Sequence, residues 1–466
     1  MSMATAGVAV LDLGKSSLRV SCVDAEGAVV AERRTASRAR PGPPYPHLDL
    51  EADLEWSCGA LAELAREHAI EAVVPVAHGA AAGLIDEDAL VVPVLDYEAD
   101  LPPLGLPRDA FAETLSPALP RGLNLATQLA WLSERFPAAF GAAQQLLLLP
   151  QLIAWRLGGR PVSEVTSLGC HTHLWSPAGG RPSRLAQERG WAALLPPLVP
   201  AWEIVGTLRP ELARRTGLDR SCRIHAGIHD SNASYLAHRR VRQAPFAVVS
   251  TGTWIVCMAH GATLDCLDPG RDMLANVDAL GDPIASMRFP GGREIAALSG
   301  AEGLACAPEL EELQALLDAG LMALPAFSDA GGAFAGCAGR VLPDLPAAPR
   351  ARAALAALYA ALRVDLCLDE LGASGDAIVE GPLATHRAFL AALAALRDPS
   401  CVLRSTDRTG TARGAALLAR WDRPPRPPAT EVVPRPSLRG LDRHRERWRE
   451  QLAALPGDRS RVEPGT

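Results

Sequence analysis

A short glycine turn near the start of the chain carries residue types that bind phosphate. In "LDLGKSSLR" an apolar strand runs into Asp12, and the turn that follows contains Gly14, Lys15, Ser16 and Ser17. Glycine lets the backbone approach an anion, and the amides and hydroxyls of such a turn can cradle phosphate oxygens. A carboxylate at the strand end suits Mg²⁺, and a lysine adds a point charge for a β- or γ-phosphate. The alternative from these residues alone is a hairpin turn with a solvent-facing lysine.

A second glycine turn has the same character. In "STGTW", Ser250, Thr251 and Thr253 surround Gly252, again directly after an apolar strand. The two turns match at a constant offset of 238 residues, about half of the chain, so that Asp12 falls on Ser250. By itself the second turn is a hydroxyl-rich β-turn. As the head of a second, similar half it predicts a duplicated fold in which two phosphate-binding turns line a nucleotide cleft.

A candidate base for proton transfer lies between the two turns. In "AGIHDSNAS", Asp230 stands at or just before the start of a predicted helix. There it could accept the proton of an attacking alcohol, which contributes roughly 10²–10⁴-fold to a rate, or simply cap the helix. The histidine pairs 225/229 and 171/173 lack a strong third ligand, so the sequence disfavours a metal site at either pair.

The elements around these motifs alternate between strand and helix. The first half begins with strand, turn and strand, followed by a helix at "ALAELAREHA", a buried strand at "AVVPVA", and helices at "NLATQLAWLSERF" and "AAQQLLLLPQLIAWRLGG". The second half has helices at "ARAALAALYAALRVDLCLDEL", "LATHRAFLAALAAL", "TARGAALLARW" and "RGLDRHRERWREQLAAL", with a strand at "DAIVE". This alternation predicts an α/β fold.

Composition narrows the function classes. The 466 residues carry a net charge of −7, which provides no basic surface for nucleic acid. Ten cysteines are scattered without a Cys-x-x-Cys pair, which indicates reduced thiols in a cytoplasmic protein. Neither a signal sequence nor an apolar run long enough to span a bilayer is recognisable, so we expect a cytoplasmic protein without a membrane partner.

Together these motifs resemble the FGGY family of carbohydrate kinases. "DLGKSSLR", "GIHDSNAS" and "STGTW" follow the family's order and spacing, and "ATQLAWLSE" resembles its helix motif, with Gln128 where a lysine is usual. "VEGPLATHRAFLAAL" and "TARGAALLA" resemble its adenosine-binding region, so the resemblance covers roughly residues 8–420. It implies an α/β fold of two actin-like (ribonuclease H-like) domains of the actin/hexokinase/Hsp70 superfamily with an interdomain cleft. The implied domains are 1–243 and 244–435, followed by a charged helix and tail at 436–466.

The resemblance also implies roles for individual residues. Asp230 matches the catalytic base, and Asp12 and Asp230 lie where Mg²⁺ binds. The implied sugar-binding residues are His78, Gly79, His229 and Asp230. The implied ligands of the ATP phosphates are Gly14, Lys15, Ser16, Ser17, Ser250, Thr251, Gly252 and Thr253. The implied adenosine-binding residues are Glu380, Gly381 and Pro382, in a loop with one glycine where two are common.

Further details resemble particular branches of the family. "GxHD" with "S-[ST]-G-T-W" is more like the rhamnulose and fuculose kinases than the glycerol or xylulose kinases, and the turn lysine resembles a branch that reads "D-x-G-K-T-N". "TSLGCHTHLW" and "MRFPGGRE" also resemble that branch. The first could line the sugar pocket or form a hairpin with core Leu and Trp. In the second, Arg288 or Arg293 could reach a ligand or form a surface salt bridge.

The implied activity is ATP-dependent phosphorylation of a hydroxyl of a ketose or related polyol, with Mg²⁺ as cofactor. The expected partners are the sugar and ATP, with no nucleic acid, and a homodimer stays open. Two alternatives remain from the sequence. One is an actin-like ATPase that acts without a sugar, and the other is a catalytically inactive protein that binds sugar or nucleotide.

The first testable prediction concerns Lys15, the only lysine among 46 Lys and Arg residues. A turn too tight for a planar guanidinium still accepts a compact ammonium. Lys15→Arg and Lys15→Ala are therefore expected to lower turnover more than they lower the melting temperature, as measured by coupled ADP release and thermal unfolding. Full activity of Lys15→Arg would show that only the glycine turn matters.

Overall fold

Two seven-stranded sheets organise the chain, whose computed structural model describes residues 7–107, 109–406 and 410–455. The strands of the first half are β1 (Gly7–Leu13), β2 (Ser17–Val23), β3 (Val29–Ala36), β4 (Ala39–Arg40), β5 (His47–Leu48), β6 (Ile70–Ala77), β7 (Ala82–Ile85), β8 (Gln145–Leu148), β9 (Trp175–Ser176), β10 (Arg181–Pro182), β11 (Ile204–Thr207), β12 (Arg223–His225) and β13 (Ile228–His229). Those of the second half are β14 (Phe246–Thr251), β15 (Ile255–His260), β16 (Met273–Val277), β17 (Pro283–Phe289), β18 (Met322–Leu324), β19 (Arg340–Leu342), β20 (Asp376–Glu380), β21 (Val402–Ser405) and β22 (Thr430–Val432).

Helices connect most of these strands. They are α1 (Leu50–Glu67), α2 (Ala110–Thr114), α3 (Leu125–Arg135), α4 (Pro137–Ala142), α5 (Leu149–Leu157), α6 (Val165–Leu168), α7 (Arg184–Glu188), α8 (Pro210–Thr216), α9 (Asp230–Arg239), α10 (Gly291–Leu304), α11 (Leu310–Asp318), α12 (Pro349–Glu370), α13 (Arg387–Leu396), α14 (Gly410–Leu418) and α15 (Leu441–Ala453). Short 3₁₀ turns occupy Trp191–Leu194, Leu264–Cys266, Pro269–Arg271 and Pro382–Thr385.

The two sheets share one topology. In the first, β3, β2 and β1 form an antiparallel meander, β6 and β12 continue in parallel, and β11 closes the edge in the antiparallel sense. In the second, β17, β15 and β14 form the meander, β20 and β21 continue in parallel, and β22 closes the edge. In addition, β13 pairs with β6, and β16 extends the second sheet. The repeat visible in the two glycine turns therefore extends to the strand order of both sheets.

Strand β1 is buried along its whole length because helices cover both faces of its sheet. Side chains of a strand alternate between the two faces. Leu11 lies in a cluster with Leu152 of α5, whereas Val10 lies in another cluster with Ala233 of α9 and Ala415 of α14. This enclosure explains the unbroken apolar run that precedes the first glycine turn.

Contacts divide the chain into two compact units. Unit 1 contains the described part of 1–241, together with 275–283 and 410–427, and unit 2 contains the remaining described residues. The predicted boundary after residue 243 lies beside the junction after residue 241. The prediction differs in assigning 275–283 and 409–427 to the second domain.

Side-chain contacts explain why these two segments belong to unit 1. In the first, Asp278 Oδ2 accepts a hydrogen bond from Arg239 Nε of α9 at 3.2 Å. In the second, α14 packs on α9, and the rings of Trp421 and Trp202 stack with centroids 3.7 Å apart. In unit 2, α15 packs through Trp448, whose Nε1 donates to the Ala323 carbonyl at 2.7 Å. The rest of the predicted tail, 456–466, lies outside the described residues.

One predicted helix is wrong in its first part. The stretch "AAQQLLLLPQLIAWRLGG" contains strand β8, which pairs with β7, and α5 begins only at Leu149. Pro150 lies in the first turn of α5, where its missing N–H has no intrahelical partner to lose. An apolar run of this length suits a buried strand as well as a buried helix, and the pairing with β7 decides between them.

Helix α14 approaches α9 closely through Gly414. A Cβ added there would collide with the carbonyl oxygen of Ala233. Gly414→Ala is expected to lower the free energy of unfolding by about 1–3 kcal/mol, the usual cost of overpacking, as measured by denaturant titration.

Gly59→Ala is the matched control for that measurement. Gly59 lies inside α1, and nothing approaches its added Cβ within 4 Å. The control should be neutral or should stabilise the protein by up to about 1 kcal/mol, the helix propensity difference. Equal effects of the two substitutions would contradict the close packing of α14 on α9.

Candidate active site

The carboxyl ends of three neighbouring strands coincide in unit 1. Strand β6 lies between β1 and β13 and is parallel to both, and its last residue, Ala77, is in register with Leu13 of β1 and His229 of β13. The next residues along the three strands are Gly14, His78 and Asp230. Ligands of open α/β sheets bind outside the carboxyl ends of the parallel strands. The structure thus brings together, at one sheet edge, three residues that the sequence analysis selected separately.

Asp12 lies at this edge on β1, opposite Arg19 across the first hairpin. The Arg19 Nε atom is 4.0 Å from Asp12 Oδ2, too far for a strong ion pair. Burial raises the pKa of Asp12 to about 7; Arg19 opposes this shift, and the nearby charge of Asp230 adds to it. A buried carboxylate whose charge is only weakly balanced by its neighbours favours the binding of a cation.

The donor set at this edge fits Mg²⁺. Asp12 and Asp230 supply hard carboxylate oxygens, and Mg²⁺ is commonly held by one or two carboxylates with water and substrate phosphates as the other ligands. Within the described ranges, no group of three or more His, Cys, Asp or Glu side chains could enclose a metal ion.

Asp230 is the first residue of α9, and His229 occupies the cap position before it. The Ser231 amide donates to Asp230 Oδ1 at 2.5 Å, and His229 Nε2 lies 3.3 Å from the same oxygen. The side chain of Asp230 keeps 33 % of its surface exposed. The carboxylate is therefore held by its neighbours while remaining accessible, as a proton acceptor requires.

Gly79 lies in a crowded position beside His229. A Cβ added to Gly79 would lie 3.1 Å from His229 Nε2, 3.3 Å from Cys170 Sγ and 3.4 Å from His171 Nε2. Cys170 Sγ is itself 3.6 Å from His229 Nε2. "TSLGCHTHLW" therefore contributes two side chains to the wall around the candidate sugar residues, and a larger residue at position 79 would make close contacts with this wall.

Hydrogen bonds through Thr166 connect the backbone of His229 to the buried Glu164. The fully buried Glu164 accepts from the Thr166 amide at 2.9 Å and from the Thr166 hydroxyl. The same hydroxyl oxygen accepts from the backbone amide of His229 at 3.0 Å. Burial raises the pKa of Glu164 to about 7, although the hydrogen bonds from Thr166 lower it. Sequence reasoning missed this anchor because its members are 65 residues apart in the chain.

Lys15 extends from the first glycine turn to an acidic segment. Its ammonium is paired with Asp96, lies 3.6 Å from Glu98 Oε2, and sits 4.7 Å from the centre of the Tyr97 ring. The side chain is 13 % exposed, so it is not the solvent-facing lysine of the simpler hairpin alternative. Asp96 and Glu98 carried no motif, and only the fold reveals their proximity to Lys15.

Gln128 also differs from the residue that the family resemblance leads one to expect. Its amide nitrogen donates to the carbonyls of Ala80 at 2.7 Å and Gly122 at 2.6 Å. A side-chain amide carries two donors and no charge, so it satisfies both buried carbonyls without an ion pair. Gln128 therefore fastens the segment after His78 and Gly79 to α3.

The second glycine turn and the candidate adenosine loop meet in unit 2. Thr251 Oγ1 donates to the Glu380 carbonyl at 2.5 Å and accepts from the Leu383 amide at 3.1 Å. Gly381 has φ of +83°, and a Cβ there would collide with the Thr251 carbonyl. The structure thus brings Ser250–Thr253 and Glu380–Pro382 together, and one glycine suffices for their contact.

The start of α10 supports the second turn from its other side. The Gly292 amide donates to the Thr253 carbonyl at 3.2 Å. Glu294, on the same helix, accepts from the Tyr359 hydroxyl at 2.8 Å and from Arg363 at 3.2 Å, all three being buried. Arg288 is only 7 % exposed, and its guanidinium lies 4.7 Å from the centre of the Trp254 ring, so it is not a surface side chain.

His173 and His225, from the two histidine pairs noted in the sequence, have hydrogen-bonding partners inside unit 1. Burial lowers the pKa of His173 to about 4, and its ring contacts the Pro117 carbonyl at 3.2 Å and the Thr114 hydroxyl at 3.1 Å. His225 Nδ1 contacts the Trp202 carbonyl at 2.8 Å. His173 and His225 are thus held by backbone carbonyls and a hydroxyl, whereas His171 and His229 both lie beside Gly79.

Comparisons with known proteins identify the class of fold and the family. The domain model described as "Carbohydrate kinase FGGY, C-terminal domain" matches residues 243–427. A carbohydrate kinase from Novosphingobium aromaticivorans is 35 % identical, with a TM-score of 0.82 over 97 % of this chain and 99 % of that one. A xylulose kinase from Lactobacillus acidophilus, at 14 % identity, shares the fold with a TM-score of 0.80 over 96 % of this chain and 98 % of that one. The predicted class of two actin-like domains is confirmed, and the chain belongs to the FGGY family of carbohydrate kinases.

A sequence relative adds a narrower comparison. The L-fuculokinase of Salmonella typhi is 25 % identical over 284 residues, which is 55 % of this chain and 57 % of that protein. The match thus covers little more than half the length of the curated relative. In the part of the chain that the structure describes, no helix is both long and apolar enough to cross a membrane.

The raised pKa of Asp12 predicts a pH dependence of stability. Between the usual pKa of 3.8 and about 7, the native state retains a proton that the unfolded state has lost. Stability from this group is therefore complete below about pH 4 and is lost as the pH rises through about 7. Asp12→Asn removes this loss, and in EDTA it should stabilise the protein relative to wild type by on the order of 2–4 kcal/mol more at pH 8 than at pH 4.

The measurement is denaturant unfolding across that pH range. Asp88→Asn, at an exposed loop carboxylate, is the control and should show no such trend. A constant difference between Asp12→Asn and wild type from pH 4 to pH 8 would contradict the raised pKa.

Proposed function

We propose that this chain is an ATP-dependent kinase that phosphorylates a hydroxyl of a ketose or related polyol. The observation that carries the proposal is the alignment of Gly14, His78 and Asp230 at one sheet edge. It joins the proposed phosphate-binding turn, the proposed sugar-binding turn and an accessible carboxylate in unit 1. Membership of a carbohydrate kinase family supports the same conclusion.

In the proposed reaction, Asp230 acts as general base. The acceptor hydroxyl transfers its proton to the Asp230 carboxylate while its oxygen attacks the γ-phosphorus of ATP. The bond from that phosphorus to the β,γ-bridging oxygen breaks, and ADP leaves with that oxygen. His229, 3.3 Å from Asp230 Oδ1, and the Ser231 amide orient the carboxylate. Base catalysis of this kind contributes roughly 10²–10⁴-fold.

Other residues of each unit are proposed ligands of ATP. The hydroxyls of Ser16 and Ser17 are proposed phosphate ligands. The Gly14 amide donates to the Ser17 carbonyl at 3.1 Å and so shapes this turn, and the Lys15 ammonium is paired with Asp96. Asp12 and Asp230 would hold Mg²⁺, which supplies positive charge to the phosphate oxygens. In unit 2, the hydroxyl-rich 250–253 turn is a second proposed phosphate ligand, and 380–382 is the proposed adenosine contact.

Acceptor selection is proposed to involve the wall around Gly79. His78, His229 and Asp230 offer both donors and acceptors, which suits a hydroxylated substrate. The likeness to an L-fuculokinase makes ketoses the first class to screen. A coupled ADP-release screen over ketoses, aldoses and polyols is the direct test of the substrate class.

The decisive variant is Asp230→Asn. It keeps a side chain of the same size but cannot accept the proton, so kcat is expected to fall by roughly 10²–10⁴-fold. The melting temperature should change little, because 33 % of the side chain is exposed. Steady-state kinetics with the best acceptor from the screen, together with thermal unfolding, measures both quantities.

Asp88→Asn serves again as the matched control, since it makes the same chemical change at an exposed site. Unchanged turnover of Asp230→Asn would refute the general-base role. ATP hydrolysis that no sugar stimulates would favour the sugar-independent ATPase. Failure to bind ATP in calorimetry would favour a catalytically inactive protein.

A further inference from the structure

A cavity of about 210 Å³ lies beside the first glycine turn, inside unit 1. Its polar lining includes Lys15, Arg38, Asp53, His78, Asp96 and Glu98. This volume is below the 300–1,000 Å³ typical of pockets for drug-sized ligands. The space suits part or all of a small hydroxylated molecule.

His78 connects this cavity to the proposed base. Its ring lines the cavity and packs edge-on against Tyr97, with ring centres 5.4 Å apart. Burial lowers the pKa of His78, and the charges of Asp230, Lys15 and Asp96 all act on the same ring. The geometric connection is the strand register: His78 lines the cavity and directly follows Ala77, which pairs with His229, the residue before Asp230.

The charged groups of the cavity are already paired with each other. Lys15 is bound by Asp96 and lies near Glu98, while Arg38 donates to Asp53 Oδ1 at 3.4 Å and to the Ala52 carbonyl at 3.1 Å. Two cations thus face three carboxylates, so the lining has no excess positive charge. A ligand carboxylate would meet electrostatic repulsion here, whereas hydroxyl groups can donate to the carboxylates and accept from the ammonium.

We propose, resting on the kinase function proposed above, that this cavity receives the distal hydroxyls of a neutral polyhydroxy acceptor and excludes sugar acids. Asp96 and Glu98 accept hydrogen bonds from the acceptor hydroxyls, and the Lys15 ammonium donates to one of them. Lys15 then has two roles. Its backbone belongs to the phosphate-binding turn, and its side chain belongs to the acceptor site.

The test compares a ketose with the aldonate of the same carbon skeleton, for example L-fuculose and L-fuconate, by titration calorimetry of the full chain. Wild type should bind the neutral member of each pair at least about tenfold more tightly, since like charges at close range repel. The double variant Asp96→Asn/Glu98→Gln leaves the Lys15 charge unbalanced. Its preference for the neutral member should fall by at least about tenfold.

Two further variants guard against loss of folding and non-specific charge effects. Lys15→Met removes the cation and should strengthen the preference for the neutral member, the opposite change to the double variant. Glu67→Gln changes an exposed carboxylate that pairs with Arg33 at 3.1 Å, and it should leave the preference unchanged. Thermal unfolding verifies that each variant is folded.

Binding and turnover separate this inference from the proposed function. Neutral-sugar binding without Asp230-dependent ADP release would overturn the kinase proposal and leave the cavity assignment supported. Turnover with an equal or tighter preference for the aldonate would overturn the cavity assignment and leave the kinase proposal intact. An unchanged preference in the double variant, or no neutral-sugar binding at all, would also overturn the assignment.

Discussion

The parallel pairing of β6 with both β1 and β13 is the constraint on which the candidate site depends. Ala77 stands opposite Leu13 on one side and His229 on the other, so the three strands end at one level. A shift of one residue in either pairing would turn every side chain of that strand to the opposite face. The apolar clusters on both faces of β1 prevent such a shift, because it would move Leu11 and Val10 into the wrong layers. The packing of the apolar core thus determines where the polar residues of the candidate site lie.

In unit 2, buried ion pairs fix the helices that position the second glycine turn. The long helix α12 is tied by buried charge: Arg363 bonds Glu294 of α10, and Asp365 bonds Arg397 at 3.3 Å and Arg449 of α15 at 2.9 Å. Removing one member of such a pair leaves an uncompensated buried charge, which typically costs about 3–5 kcal/mol. Helix α10 also contacts the second glycine turn, because the Gly292 amide donates to the Thr253 carbonyl. The ion pairs that fix α10 therefore also help to fix the position of that turn. Arginine suits this task, since its fork serves several acceptors at once.

The parts of the fold predicted well from the sequence are those encoded locally. Strand, glycine turn and strand at Asp12 and at Ser250 follow from apolar runs broken by glycine, and α12 and α15 follow from helical periodicity. The strand at Gln145–Leu148 was missed because pairing with β7, not local preference, determines it. The segments 275–283 and 410–427 return to unit 1 through contacts that no local pattern encodes.

The residues of the candidate site also fall into two groups, those that the sequence indicated and those that only the fold reveals. The residue types of two motifs selected Asp12 and Asp230, and the family resemblance selected His78; the fold brings all three to one edge. Asp96, Glu98 and Glu164 were not selected, because an isolated carboxylate carries no signal until its partner is known. Lys15 and Asp96 are 81 residues apart, and only the folded chain brings them into contact.

The solitary lysine gives this chain an unusual chemical property. Apart from the α-amino group, the protein has one primary amine, and that amine lies between Asp96, Glu98 and the Tyr97 ring. An amine-selective acylating reagent therefore addresses one side chain in the whole molecule. The extent of its labelling is a direct spectroscopic or mass-spectrometric reporter of what occupies the space around Lys15, without any engineered tag.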